Sequence, residues 1–168
     1  MHVCWRELIA EGACDMKDRL AGQVRRVEVT DPIATARRYD YADAFELRLS
    51  EPDPHPPEVW VRAGLDGTPK WVDLVAGLLG MRGAPEGPAD RVAGFRVIES
   101  RPDVVHLETT LPLMRVVLVG RRVEPTCRLF TSVLHYKQPT LARLVWAVVG
   151  NGHRWAARQL ITSRISTT

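Results

Sequence analysis

The chain has 168 residues, 45% of them apolar and 26% charged, with a net charge of +3 at neutral pH. That is the length of one domain, with enough apolar side chains to build a core without disulfide or metal support. Arginine greatly outnumbers lysine, a bias that follows genomic base composition more than a nucleic-acid footprint, so no nucleic-acid partner is expected. Three cysteines (Cys4, Cys14, Cys127) give an odd count with no C-x-x-C pair. This argues against a disulfide framework and a thiolate metal site, and it fits a reducing compartment. No stretch approaches the roughly 18 apolar residues of a membrane span, so no membrane insertion is expected. Met1–Ala13 lacks a basic segment followed by a continuous apolar run, which leaves the cytoplasm as the expected location.

The first elements in the chain are weakly marked. Cys4 to Leu20 reads as a short helix, with Trp5, Leu8, Ile9 and Cys14 roughly on one face. Gln23 to Val29 alternates imperfectly and ends at Asp31-Pro32, as a short strand or extended segment would. Residues 1–38 are therefore read as an N-terminal extension, and 39–168 as the single domain proper.

Tyr41 to Leu49 is a cleaner strand, with Asp43, Phe45, Leu47 and Leu49 pointing one way. Asp43 shares parity with the apolar set and is the odd member. Pro52, Pro54, Pro56 and Pro57 exclude regular structure and deliver the chain to a helix over Glu58–Leu65, with proline at its first turn. A second short helix is expected over Pro69–Met81, capped by Thr68. Trp60 and Trp71 give the pair a large apolar payload that needs cover. Gly83 to Pro88 reads as a loop.

An antiparallel meander follows. Its strands are Gly94–Ser100, with Phe95, Val97 and Glu99 on one face, then Val104–Leu111, Leu113–Gly120 and Cys127–Tyr136. Turns are expected at Arg101-Pro102-Asp103 and Arg121–Pro125, and Pro112 marks a bulge, an edge or a bend. Pro139 ends the last strand, and Thr140 is the expected N-cap of a long helix. Leu141, Leu144, Val145, Val148 and Val149 form one face of that helix, expected to lie across the sheet. The segregated helices make the class α+β: a strongly bent antiparallel sheet gripping a C-terminal helix, with a cavity between them and the two short helices closing one end.

Four segments carry a resemblance: Tyr41-Ala42-Asp43-Ala44-Phe45, Glu58-x-Trp60 through Pro69-x-Trp71-Val72, Phe95 to Ser100, and Val149-Gly150-x-x-His153-Arg154. Together they resemble an uncharacterised domain family that occurs alone or fused behind NAD(P)-binding short-chain dehydrogenase-like domains. That family is similar in turn to the helix-grip, START-like superfamily of polyketide cyclases, lipid carriers and small-molecule receptors. The resemblance spans about Tyr39 to Leu160. It implies a ligand cavity but no catalytic set, because one such fold hosts carriers and catalysts alike.

On this reading a small apolar or aromatic ligand would be walled by Phe45, Leu47, Trp60, Trp71, Phe95, Leu107, Phe130 and the inner face of the last helix. Asp43, His135, His153 and Arg154 would orient it. Asp43 is expected to form one network with His153 and Arg154 at a cavity end; the plainer reading is a structural ion pair. His135, His153 and Asp43 are the candidate acid/base groups, should the domain be a cyclase, dehydratase or isomerase of a polyketide-like intermediate. A third reading is a partner module using the acid-free, basic segment after Glu124, and a homodimer is left open.

Other candidates are weaker. Glu99 reads as a charge pair with Arg101, and Arg115 as a cavity cation or an edge residue. His106-x-Glu108 lacks the P-C-x-x-C half of a zinc-deaminase signature and reads as a polar surface face. No helical histidine pair is spaced for a metal, and no cofactor fingerprint is present: Gly150-Asn151-Gly152 lacks a third glycine and is expected to kink or interrupt the last helix. Ser132 and Ser166 have no neighbouring base in the sequence.

Overall fold

The computed structural model describes residues 23–67 and 91–163. The helix expected over Cys4–Leu20, the second short helix with Trp71, the loop Gly83–Pro88 and Ser166 lie outside the described residues. Seven strands are described: β1 (Arg25–Val27), β2 (Tyr41–Arg48), β3 (Arg91–Val92), β4 (Phe95–Ser100), β5 (Val104–Thr110), β6 (Met114–Glu124) and β7 (Cys127–Tyr136). They form one curved, unclosed, wholly antiparallel sheet in the order β1-β2-β7-β6-β5-β4-β3. The helices are a single turn, α1 (Pro32–Thr35), then α2 (Pro57–Asp66) and the long C-terminal α3 (Pro139–Ile161). The class is α+β, consistent with a helix-grip arrangement.

Strand parity divides the side chains of β2, β5, β6 and β7 as the alternation predicts. In β4, by contrast, a register shift between Val97 and Glu99 sets Glu99 opposite His106 and off the face of Phe95 and Val97. One face carries Phe45, Leu47, Leu107, Leu118, Phe130 and Leu134, all packed with Trp60, Leu160 and Ile161 of α2 and α3. The other carries Val117, Val119 and Val133 beneath Ala34 of α1. Three expectations about element boundaries need correction. β6 continues through Arg121–Glu124, placing the turn at Pro125-Thr126, because those residues pair with Leu129, Arg128 and Cys127. α1 was not expected; Asp31 caps it by accepting from the amides of Ile33 (2.9 Å) and Ala34 (3.3 Å), with Pro32 at the first helical position. The cap of α3 falls at Gln138, with Pro139 following it and Thr140 already inside the helix.

The buried face of α3 also differs from the expected one. Ala142, Gly150, Ala157, Leu160 and Ile161 are buried, whereas Leu144 and Val148 are 66% and 77% exposed and Leu141 is exposed as well. The first half of this helix is apolar nearly all round, so periodicity does not select a side. Close approach does, because small side chains let the helix axis settle onto β2 and β7. The helix runs unbroken through Gly150-Asn151-Gly152. Gly150 instead makes room for Trp146, whose indole nitrogen would lie 3.2 Å from an added Cβ.

Two contacts fix α2 and α3 against the sheet. A Cβ on Gly64 of α2 would lie 2.6 Å from Leu160 Cγ and 2.8 Å from its Cα; one on Gly120 of β6 would lie 2.7 Å from Val61 Cγ2 and 3.0 Å from Trp60. Beside them, Arg128 is buried and bonds Asp53 Oδ2 through Nε (2.7 Å) and the carbonyls of Ile161 (3.1 Å) and Ser163 (2.9 Å) through Nη1. Its guanidinium also sits 5.3 Å from the Trp60 ring centroid.

Two stability outcomes follow from these contacts. Alanine normally stabilises a helix interior over glycine by about 1 kcal/mol, yet Gly64→Ala should destabilise by about 1–3 kcal/mol through overpacking against the Leu160 backbone. A urea midpoint equal to or above wild type would show that this contact is not made. Asp53→Ala, which strands a buried guanidinium, should cost about 3–5 kcal/mol in the same assay.

Candidate functional site

The polar groups on the α3 side of the sheet collect where the helix crosses β2 and β7. Asp43 and Ser132 face each other as a cross-strand pair, and both are buried. Tyr41 donates its hydroxyl to Asp43 Oδ2 at 2.9 Å. From above, α3 brings His153, whose Nε2 lies 3.1 Å from Ser132 Oγ and 3.6 Å from Asp43 Oδ1. Arg154 reaches the Tyr41 hydroxyl at 3.5 Å and also bonds Asn151. Trp146 closes the group, its ring 4.7 Å from that of Tyr41 and 4.8 Å from that of His153. The structure thus brings together Asp43, His153 and Arg154 and adds Tyr41, Ser132 and Trp146.

The electrostatics of the cluster centre on one carboxylate. Burial alone would push Asp43 upward, but the polar neighbours His153 first, then Tyr41 and Ser132, outweigh it and hold the carboxyl below its ordinary value. Tyr41 is raised, first by burial and then by the neighbouring Asp43 charge, against the pull of Arg154. Two polar atoms remain buried without a hydrogen-bond partner here: Asp43 Oδ1, an acceptor, and Trp146 Nε1, a donor. The arrangement is not a nucleophilic triad. Asp43 and Ser132 approach the same nitrogen of His153, whereas a triad places the carboxylate on one ring nitrogen and the hydroxyl on the other. What the geometry provides is a histidine able to hold or move a proton beside a charged carboxylate.

The expected apolar walls divide. Phe45, Leu47, Trp60, Phe95, Leu107 and Phe130 share one cluster with the C-terminal end of α3. Gly120 lies directly against Trp60, Val61 and Val105, so this part of the interior is filled by side chains. Trp71 lies outside the described residues. His135 is not in the group. It has the parity of Thr131 and Val133, pairs with Arg115 across the sheet, and faces α1. Glu99 bonds Arg101 at 2.8 Å, as the sequence reading expected.

Sequence reasoning found no base for Ser132; α3 supplies one from 21 residues away. Only a register that set Asp43 opposite Ser132 could have revealed it. Among the described residues no cluster of three His, Cys, Asp or Glu side chains is placed to hold a metal, and no helix is long and apolar enough to cross a membrane. Comparison of the chain with protein-family models, curated proteins and solved structures returned no match.

The depressed Asp43 carboxyl sets a sign for pH dependence. A group held below its ordinary value of 3.8 adds stability above that pH and loses it as pH falls through the folded-state value. The difference in unfolding free energy between wild type and Asp43→Asn should be present at about pH 5 and narrow as the pH drops below about 4. A difference that does not narrow in acid would mean that His153 and Tyr41 do not hold this carboxylate charged.

Proposed function

We propose that this domain binds a small, mostly apolar or aromatic molecule between the sheet and α3, with one polar group of the ligand anchored at the Asp43–His153 cluster. The observation that carries this reading is a pair of buried atoms without a hydrogen bond, Asp43 Oδ1, which His153 Nε2 approaches only to 3.6 Å, and Trp146 Nε1, set among the rings of Tyr41, Trp146 and His153. An unpaired buried polar group costs about 1–3 kcal/mol. A ligand hydroxyl both donates and accepts, so it suits a neighbourhood offering one acceptor and one donor. The resemblance of Tyr41–Phe45, Phe95–Ser100 and Val149–Arg154 to a START-like domain family supports the same reading, as does a sheet wrapped on a C-terminal helix.

His153 favours a second reading, that of an acid/base enzyme of the cyclase, dehydratase or isomerase kind. Its Nε2 lies between Ser132 Oγ and the Asp43 carboxylate, a setting for moving one proton on a substrate held in a reactive conformer.

Fluorescence titration of the full chain with 2-naphthol, an aromatic alcohol, tests the binding reading. Saturable binding is expected, weakened about tenfold or more by Asp43→Asn, as for loss of one hydrogen bond to a charged group, and weakened also by Trp146→Phe. Leu144→Ser, on the exposed side of α3, should leave it unchanged. Binding that is non-saturable, or equally strong in both cluster variants, would overturn the proposal.

A further inference from the structure

The opposite face of the sheet carries a second group of chemistry-bearing residues, in a cleft of about 410 Å³ roofed by α1 and the turn after it. A cleft of that size accommodates a small molecule. Its floor and one wall are apolar, built from Val117 of β6 and Ile33 and Ala34 of α1. Its other wall is charged: Arg115 and His135 stand opposite each other across β6 and β7, with Glu108 and His106 on β5 beside them. Arg37 lies at the rim and is exposed.

The charges do not cancel. Among the described residues Glu108 is the one carboxylate lining the cleft, and it is already engaged. Arg115 donates to it through Nε at 3.1 Å and again through Nη2, and His106 Nε2 lies 3.0 Å away. Burial pushes Glu108 up, but Arg115 and then His106 outweigh that and hold it below the usual range. Arg37 has no ion pair among the described residues. Arg115 has donors to spare, since a guanidinium carries five N–H groups and two serve Glu108. His135 Nδ1 lies 3.0 Å from the Arg38 carbonyl, which can only accept. The proton therefore sits on Nδ1, and Nε2 is the nitrogen left for a ligand.

We propose that this outer-face cleft is a second binding site, specific for a small organic carboxylate. The carboxylate takes the unused N–H donors of Arg115 and the charge of Arg37, its apolar body rests on Val117 and Ile33, and Glu108 acts as the built-in competitor for Arg115. The planar guanidinium fork matches a carboxylate in two-point geometry. The site is independent of the binding reading above, because the sheet separates the two.

An NMR titration of the full chain with sodium benzoate, at constant ionic strength and with benzamide as the neutral control, tests this. Benzoate should shift signals of Arg115, His135 and Ala34, and benzamide should bind markedly more weakly. Arg37→Ala, at an exposed position with no ion pair among the described residues, should weaken benzoate two- to fivefold, in keeping with the modest worth of an exposed charge. Glu108→Gln frees Arg115 and should tighten benzoate severalfold, a gain that a merely structural ion pair would not give. If Glu108→Gln does not fold, the Arg37→Ala result decides alone. Shifts centred on Tyr41, Trp146 and His153, equal binding of benzamide, or an affinity unchanged in the folded variants would overturn the proposal.

Discussion

The buried guanidinium of Arg128 is the point on which the architecture turns. One side chain on β7 holds the proline-rich connection after β2 through Asp53, the carbonyls of Ile161 at the end of α3 and of Ser163 just beyond it, and the face of Trp60 in α2. A helix ends with carbonyls that have no intrahelical partner, and a cation placed there satisfies them and complements the helix dipole. A buried charge with several hydrogen bonds tolerates few geometries, so Arg128 serves positioning more than raw stability. It sets where the C-terminal end of α3 rests, and thereby where His153, two turns back, meets the sheet.

Given that anchor, the seam between helix and sheet sorts itself by size. At the C-terminal end, Leu160 and Ile161 fill the space over Phe45 and Phe130, with Gly64 and Gly120 allowing α2 to press in. Farther along, Ala142, Gly150 and Ala157 keep the helix close, and Gly150 yields its volume to the Trp146 indole. The polar cluster occupies this second zone, where aromatic rings lower the local polarity and strengthen each remaining electrostatic contact. The sheet is therefore two-sided in chemistry: a solid apolar block and a polar seam under α3, and an ion-paired cleft beneath α1 on the reverse.

Asp43 shows how far sequence reading can reach into a site. An aspartate on the apolar parity of a strand is a local anomaly, visible without coordinates, and it is the residue around which the cluster forms. His135 shows where such reading stops. Its parity with Thr131 and Val133 was legible and already excluded it from the face of Phe130, yet an apolar set does not reveal which of two sheet faces it covers. Both faces here are buried, one by α2 and α3 and the other by α1. His106-x-Glu108 was legible as a face opposite Val105 and Leu107, but a surface face becomes a cleft only because Asp31 and Pro32 start a helical turn above it. Arg128 shares the parity of Phe130 and Leu134, but β7 is apolar on both parities, so the alternation did not mark this arginine as inward.

The sequence by itself determined the α+β class, the span of β7 residue for residue, the inward parity of β2, and the existence of a long C-terminal α3. These depend on period-two alternation, on proline's missing donor and on helical spacing, which act within a few residues of the chain. Tertiary structure alone decided which side of α3 is buried, that Ser132 acquires a histidine, and that Arg115, Glu108 and His135 face one cleft. Each of those outcomes depends on cross-strand register and on the distance at which the helix axis settles. Both are set by the summed packing of residues far apart in the chain, and no local pattern encodes that sum.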